Sequence, residues 1–140
     1  MTGAHLRVAS YTREHRCAGS PGPSPGAQMA ESIQQRLYPH ATCFGCGQAN
    51  PDCLQFQSFA TGDDIVATFQ AWPQHDNGLG YLNGGIIATV LDCHSGAAAF
   101  HVADAHGWQP IGDLPFPFVT SGLDIRYRRP SPLTEPCTLH

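Results

Sequence analysis

One carboxylate in this chain lies where it could take part in catalysis. Asp92 belongs to an apolar stretch with helical periodicity, and its neighbours at helical spacing are small: Ala88, Ser95, Gly96 and Ala99. Small neighbours let a ligand or another backbone approach closely, and a poorly solvated carboxylate can act as a general base or attack a carbonyl. Asp92 lies too deep in the predicted helix to cap it. We therefore take Asp92 as the candidate catalytic group.

A pair of glycines, Gly84 and Gly85, precedes the same helix. Because they lack side chains, they leave backbone N–H groups accessible at the positive end of the helix dipole. Such donors can stabilise a negative charge that develops on a substrate oxygen during a reaction. The pair therefore predicts an oxyanion hole at the start of the helix. A turn that needs unusual dihedrals is a structural explanation compatible with this one.

Apolar residues at helical spacing predict a helix from residue 84 to about residue 103, ending before Gly107. One stripe of this helix should face a sheet. It consists of Ile86, Ile87, Val90, Leu91, His94, Ala97, Ala98 and His101. We expect His94 to be a hydrogen-bonded core histidine and not a base that assists Asp92, because residues two apart on a helix point in different directions.

Alternating apolar and polar residues predict two strands, over residues 65–72 and 123–128. A short amphipathic helix is expected over residues 31–38 and a turn over residues 43–53. These elements give an α+β fold. The predicted strand at 123–128 should end at Pro130.

Composition divides the chain into three segments. Residues 1–28 are rich in Gly, Pro and Ser and are predicted to be disordered, since they cannot repay the entropy of ordering. Residues 29–58 hold the short helix and a Cys-rich turn. Residues 59–140 form the remaining domain.

Charge and composition exclude several classes of protein. The formal net charge is -4 and all seven basic residues are Arg, which argues against nucleic-acid binding and against chemistry that needs a lysine amine. No signal peptide and no apolar stretch approaching a membrane span is recognisable, so we expect a cytoplasmic protein without a membrane partner. In a reducing compartment the six cysteines should be thiols or metal ligands.

Three runs of sequence resemble the PaaI-like hotdog-fold acyl-CoA thioesterases. Residues 77–92 resemble their active-site loop and central helix, in which Asn-Gly is followed by His-Gly-Gly and then an acidic residue. Residues 119–130 resemble the following strand with its Tyr-x-x-Pro turn, and residues 43–51, which begin Cys-Phe-Gly-Cys-Gly, match a leading segment of one branch. The resemblance covers residues 43–140. Asn83 stands where many members have His.

The resemblance implies a hotdog fold, an antiparallel sheet wrapped around a central helix, and hydrolysis of an acyl-CoA thioester to a free acid and CoA. It implies Asp92 as the base or nucleophile and Gly84 as the main oxyanion donor. Asn77 would position the lytic water, and Thr120 would contribute a hydroxyl from the strand of a second subunit. The expected partners are the acyl-CoA substrate and further copies of the chain, as a homodimer or homotetramer.

Substrate contacts are expected from two places. Asn83 and Gly85 flank the proposed oxyanion donor. Arg126 and Arg128 could clamp the phosphates of coenzyme A, although charges that alternate along an outward strand face are usually only solvated.

The cysteine cluster is open to a second interpretation. His40, Cys43, Cys46 and Cys53 are four residue types that bind tetrahedral zinc, and Cys-x-x-Cys with Gly is typical of a zinc knuckle. The family resemblance implies no metal and no cofactor, and we expect none. A thioredoxin-like redox role is weaker, because Gly and Pro residues oppose the helix that should follow such a motif.

The predicted hotdog domain is truncated at its C-terminus. Only residues 131–140 follow the Tyr-x-x-Pro turn, whereas a hotdog sheet continues with further long strands, so an open edge should favour association. A chain that completes its sheet with a partner is the alternative. For function, the alternative is an inactive fragment that serves as a non-catalytic acyl-CoA-binding or dimerisation module.

Overall fold

The computed structural model describes residues 31–108 and 119–140. It contains two α-helices, three strands and one short 3-10 helix, which confirms the mixed α+β class. In chain order these are α1 (Ile33–Leu37), β1 (Phe59–Thr61), β2 (Asp64–Phe69), the 3-10 helix (Pro73–His75), α2 (Gly84–Ala105) and β3 (Cys137–Leu139). The strands form an antiparallel sheet in the order β1-β2-β3. The disorder predicted for residues 1–28 lies outside the described residues.

Helix α1 begins with a capping box, which explains why so short a helix forms. The Ser32 hydroxyl accepts a hydrogen bond from the Gln35 N–H at 3.1 Å, and the Gln35 side chain accepts one from the Ser32 N–H at 3.0 Å. The helix ends at Tyr38, before Pro39, because the residue before a proline disfavours helical backbone. The predicted helix over 31–38 is therefore confirmed with narrower bounds.

Strands β1 and β2 form a hairpin in which Thr61 pairs with Asp64. Gly62, in the two-residue turn, has φ of 62°, a left-handed conformation that glycine adopts without strain. The predicted strand over 65–72 is confirmed at Asp64–Phe69, with Ala67 and Phe69 buried as the alternation indicated. Strand β1 was not predicted, although Gly-Asp before an alternating run is a hairpin signal.

The predicted strand over 123–128 is wrong, because these residues have no strand structure. β2 pairs with β1 over its first half and with β3 over its second half, so its pairing is taken by these two strands. Within this segment the Tyr127 hydroxyl instead donates a hydrogen bond to the Gly84 carbonyl of α2. Alternation of apolar and polar residues therefore does not mark a strand here.

Helix α2 confirms the long helix predicted from the apolar spacing. Asn83 caps it, and Gly107, with φ of 74°, follows its end. Its buried residues are Val90, Cys93, His94, Ala97 and Ala103. The buried face is thus rotated toward Cys93, while Ile87 and Leu91, which we expected to be buried, are only half-buried. Asp92 lies outside the buried face, as predicted.

The core forms where α1, the Cys-rich turn and the sheet pack against α2. Its buried members are Ile33, Tyr38, Cys46, Leu54, Phe56, Ala67, Phe69, Leu82, Val90, Cys93, Ala97 and Leu139. The rings of Tyr38 and Phe100 pack with centroids 4.8 Å apart. Arg36 and Asp104 form an ion pair at 2.6 Å across the same pair of helices. This pair is exposed and contributes roughly 0–1 kcal/mol.

His94 is a core histidine, as predicted. It is buried, and its Nδ1 lies 3.0 Å from the Ser58 hydroxyl. Its ring meets Phe56 edge-on, with centroids 6.1 Å apart. Burial lowers the pKa of His94, although a hydrogen bond to the Ile65 backbone opposes the shift. Because His94 lies within the core and is hydrogen-bonded to Ser58, its ring is not positioned to assist Asp92.

Helix α2 is long and apolar enough to cross a membrane by length and composition alone, contrary to the expectation that no stretch approaches that length. The core helix of a soluble protein passes the same test. Helix α2 packs against both α1 and β2, and 28% of its apolar stretch is buried in the structure. This one helix is weak evidence for a membrane span.

Candidate functional site

Asp92 lies half-buried in the middle of α2, and a hydroxyl is fixed against it. Thr120 Oγ1 donates a hydrogen bond to the Asp92 carboxylate. One turn further along, the Ser95 hydroxyl donates to the Asp92 backbone carbonyl at 2.9 Å. The hydrogen bond from Thr120 holds one oxygen of the Asp92 carboxylate and leaves the other oxygen for a ligand. The family resemblance implied that this hydroxyl comes from a second subunit, whereas the contact here lies within one chain.

The N-terminus of α2 is only partly open. The Asn83 side-chain oxygen accepts a hydrogen bond from the Gly85 N–H at 2.8 Å. The expectation that the N–H groups of both glycines are available is therefore wrong for Gly85, because Asn83 acts as an N-cap. It follows that Asn83 and Gly85, predicted to bind substrate, bind each other. The Gly84 N–H makes no hydrogen bond within the part of the chain that the structure describes.

Tyr127 contacts this helix terminus, a role that was not predicted from the sequence. Its hydroxyl donates a hydrogen bond to the Gly84 carbonyl at 2.8 Å. A Cβ atom at residue 84 would lie 3.4 Å from the Tyr127 ring, so the ring rests directly on this glycine. The sequence signal for this contact was the tyrosine of the Tyr-x-x-Pro turn, which had been interpreted only as part of a turn.

Asn77 holds the loop before α2 in shape. Its side-chain oxygen accepts hydrogen bonds from the Leu79 N–H at 2.9 Å and from the Tyr81 N–H at 3.4 Å. The neighbouring Asp76 gathers further backbone N–H groups, including that of Gly80 at 3.0 Å. This is the local turn chemistry of Asx residues. The oxygen of Asn77 is thus engaged in its own loop, and its amide N–H groups are the part left to contact a water or substrate.

The arginines predicted to bind coenzyme A lie on exposed backbone. Arg126 and Arg128 fall within the segment that is not a strand, and both are exposed. The strand face on which they were expected to alternate is therefore not formed. Among the described residues, neither side chain makes an ion pair.

Three sulfur atoms meet between the Cys-rich turn and α2. The Sγ atoms of Cys43, Cys46 and Cys93 all lie within 4.8 Å of one another. Cys43 Sγ and Cys93 Sγ are 3.9 Å apart, and all three residues are free thiols. The ligand set considered from the sequence is wrong, because neither His40 nor Cys53 joins this group. Cys93 was not considered, since it is 47 residues after Cys46.

A glycine lets the turn approach the helix this closely. A Cβ atom at residue 45 would lie 2.4 Å from Cys93 Sγ and 2.9 Å from Thr89 Cγ2, closer than any side chain tolerates. Two backbone hydrogen bonds hold the turn in place, from the Leu54 N–H to the Phe44 carbonyl at 3.0 Å and from the Phe56 N–H to the Gly45 carbonyl at 3.1 Å.

Hydrogen bonding within this group of sulfurs alters its acid–base properties. The pKa of Cys46 is lowered, chiefly because Cys93 donates a hydrogen bond to its thiolate, and burial opposes this shift. The pKa of Cys93 is raised by the same hydrogen bond and by burial. Burial also raises the pKa of Tyr38, whose hydroxyl is hydrogen-bonded to Cys46. The arrangement therefore favours a thiolate on Cys46 surrounded by donors.

Comparison with protein-family models, curated proteins and solved structures finds no match. Function is therefore inferred from the chain's own groups. Two arrangements are chemically distinctive. One is the carboxylate of Asp92 with the hydroxyl of Thr120. The other is the group of three sulfurs, whose Cys93 follows Asp92 directly in the sequence and lies on the buried face of α2.

Proposed function

We propose that this chain carries a hotdog-type domain of the PaaI-like acyl-CoA thioesterases and hydrolyses an acyl-CoA thioester to the free acid and CoA. The observation that carries the proposal is the hydrogen bond from Thr120 to the Asp92 carboxylate, on the small-residue face of α2. The resemblance of residues 77–92 and 119–130 to that family supports the same reaction. The mixed α+β architecture, with an antiparallel sheet and one long helix, is compatible with this fold.

The chemistry of the proposed reaction follows from the two oxygens of Asp92. Thr120 engages one oxygen, and the other accepts a proton from water as the water oxygen adds to the thioester carbonyl. Collapse of the tetrahedral intermediate breaks the C–S bond, and the proton returns to sulfur, giving the acid and CoA thiol. Direct attack by the carboxylate, followed by hydrolysis of the resulting anhydride, is the alternative open to the same residue.

The oxyanion of that intermediate needs a donor, and Gly84 supplies it only across a subunit boundary. Gly84 and Asp92 lie eight residues apart on one helix, which at 1.5 Å per residue is about 12 Å along its axis. One carbonyl group cannot contact both within one chain. Two antiparallel copies of α2 would place Gly84 of the partner subunit beside Asp92. The proposed enzyme is therefore a homodimer, or a homotetramer built from such dimers.

The contacts at the N-terminus of α2 favour a second candidate function. Asn83 accepts the hydrogen bond of the Gly85 N–H and Tyr127 rests on Gly84, so only the Gly84 N–H is left as an oxyanion donor. A non-catalytic acyl-CoA-binding or dimerisation module would keep the small-residue face of α2 without needing these donors. The two candidates differ in turnover, not in binding.

The test is an assay of the purified full chain against a panel of acyl-CoA esters of different chain length and aromaticity, with CoA release as the signal. We expect turnover of at least one ester and its loss in Asp92→Ala, with binding of a non-hydrolysable acyl-CoA analogue retained. Asp104→Ala, a change of the same kind on the same helix, is the matched control and should keep turnover. Analogue binding without turnover of any ester would establish the non-catalytic module instead.

A further inference from the structure

The three sulfurs of the Cys-rich turn and α2 have the spacing of ligands around one metal ion. In a tetrahedral zinc site with Zn–S bonds of about 2.3 Å, neighbouring sulfurs are separated by about 3.8 Å. Cys43 Sγ and Cys93 Sγ are 3.9 Å apart, and every pair in the group is within 4.8 Å. For Cys46 Sγ to bind the same ion, its distances to the other two sulfurs must shorten by no more than about 1 Å, which ordinary side-chain rotation provides.

The local backbone is built for this approach. Cys43 and Cys46 belong to a turn with Cys-x-x-Cys spacing, and Gly45 between them lets the turn lie against Cys93 without a steric clash. The turn is anchored by backbone hydrogen bonds from Leu54 and Phe56. Two of the three cysteines are buried and Cys43 is exposed, so the group opens to solvent on one side only. Soft thiolate ligands of this kind select zinc over hard cations.

We propose that Cys43, Cys46 and Cys93 bind one zinc ion as thiolates and that this ion fastens the Cys-rich turn to α2. Within the described residues these three are the only such ligands brought together. The fourth coordination position, on the exposed side near Cys43, is taken by a ligand from solvent. Tyr38, whose hydroxyl is hydrogen-bonded to Cys46, supports that sulfur from the second shell of groups around the ion.

The site is independent of the proposed thioester chemistry, because none of its three ligands takes part in that reaction. Its consequence is structural. Cys93 is the residue after Asp92 and lies on the buried face of α2, so the ion would join two segments 47 residues apart in the sequence. Such a crosslink binds the folded chain and not the unfolded one, and it raises stability in proportion to the logarithm of the zinc concentration.

The test begins with the full chain purified under reducing conditions without chelator. Elemental analysis should give one zinc per chain. The metal-free protein should then bind Co²⁺ with the intense near-ultraviolet absorption of sulfur-to-cobalt charge transfer. Zinc affinity is measured by competition with a chromophoric chelator. We expect Cys93→Ser and Cys43→Ser each to lower it by more than the roughly 10–100-fold that loss of a second-shell partner costs.

Two serine variants are matched controls. Cys53→Ser changes a buried cysteine of the same turn, and Cys137→Ser changes a half-buried cysteine of β3; both should keep full zinc affinity. Circular dichroism checks that each variant is folded, and the exposed Cys43 provides a ligand variant with little effect on packing. Loss of zinc from folded Cys53→Ser would show that Cys53 is a ligand and would overturn the proposed three-cysteine ligand set. A zinc content well below one ion per chain would overturn the site itself. So would a disulfide among the three cysteines in protein purified under reducing conditions.

Discussion

Thr120 donates a hydrogen bond to the carboxylate of Asp92, joining two residues that are 28 positions apart. Because the acceptor is ionised, this bond is stronger than one between neutral groups. It fixes the orientation of the carboxylate on a helix face lined by small residues, and it ties residues 119–120 to α2. In the proposed reaction it determines which oxygen of Asp92 faces the water.

Replacing Thr120 tests this orientation. Thr120→Val keeps the shape of the side chain and removes the hydroxyl, so we expect kcat/KM for the best acyl-CoA to fall by roughly tenfold to a hundredfold, the range for a lost hydrogen bond to a charged group. Thr120→Ser keeps the hydroxyl and should restore most of the activity. Steady-state kinetics on both variants measures the difference. Equal activity of the Val and Ser variants would show that the hydroxyl does not assist Asp92.

The proposed shared site predicts complementation between two inactive variants. Gly84→Pro removes one N–H at the first position of α2, where proline is tolerated, and Gly84→Ala is the matched control that keeps the N–H. Mixing Gly84→Pro with Asp92→Asn and allowing subunits to exchange should restore about one quarter of wild-type activity, since half of the dimers are mixed and each then holds one intact site. No restoration, with exchange verified by mass spectrometry, would show that Gly84 and Asp92 do not form a site shared between subunits.

Gly45→Ala tests how the Cys-rich turn meets α2. The added Cβ would lie 2.4 Å from Cys93 Sγ, so the turn must move away from the helix. Overpacking of this kind typically costs about 1–3 kcal/mol, which urea unfolding would measure, and zinc affinity should fall with it. Gly122→Ala, where a Cβ meets nothing within 4 Å, is the control. Unchanged stability in Gly45→Ala would show that the close approach is not required.

Protonation of the buried His75 should lower the stability of the folded chain in acid. The ring is buried, its Nδ1 accepts a hydrogen bond from the Trp72 N–H at 3.0 Å, and it stacks on Trp72 with centroids 5.1 Å apart. Burial lowers the pKa of His75 below its ordinary value. The unfolded chain therefore binds a proton first, and the free energy of unfolding falls as pH drops below about 6.5, by up to about 1.4 kcal/mol per unit.

Urea unfolding at several pH values between 7.5 and 5 measures this slope. His75→Phe keeps an aromatic ring for the stacking and removes the titrating group, so its stability should vary less with pH than that of the wild type. The two proteins should differ most below the ordinary histidine pKa. Parallel pH profiles for the two proteins would show that His75 does not contribute.

The helices could be predicted from the sequence because their signals are local. An amphipathic pattern marked α1, and apolar spacing between the Gly84-Gly85 pair and Gly107 marked α2. The alternation in β2 was likewise local. The strand predicted over 123–128 failed because alternation records which side chains are apolar, not whether a pairing strand is available, and β2 already pairs with β1 and β3.

The candidate site was predictable only in its individual residues. Asp92 and Thr120 were identified separately, and their contact depends on how a segment without regular structure lies against α2. The role of Tyr127 at Gly84 and the meeting of Cys93 with Cys43 depend on tertiary packing between residues more than 40 positions apart. No periodicity or spacing rule reports such distances, whereas the Cys-x-x-Cys turn itself was visible.

The most direct test of the proposed function is kcat/KM of Asp92→Asn on the best acyl-CoA substrate. The asparagine keeps the shape of the side chain and still accepts a hydrogen bond from Thr120, but it cannot take a proton from water. General-base catalysis is worth about 10²–10⁴ in rate, so we predict a loss of that size, with binding of a non-hydrolysable analogue unchanged and Asp104→Asn fully active. Turnover of folded Asp92→Asn near the wild-type value would contradict the assignment of Asp92.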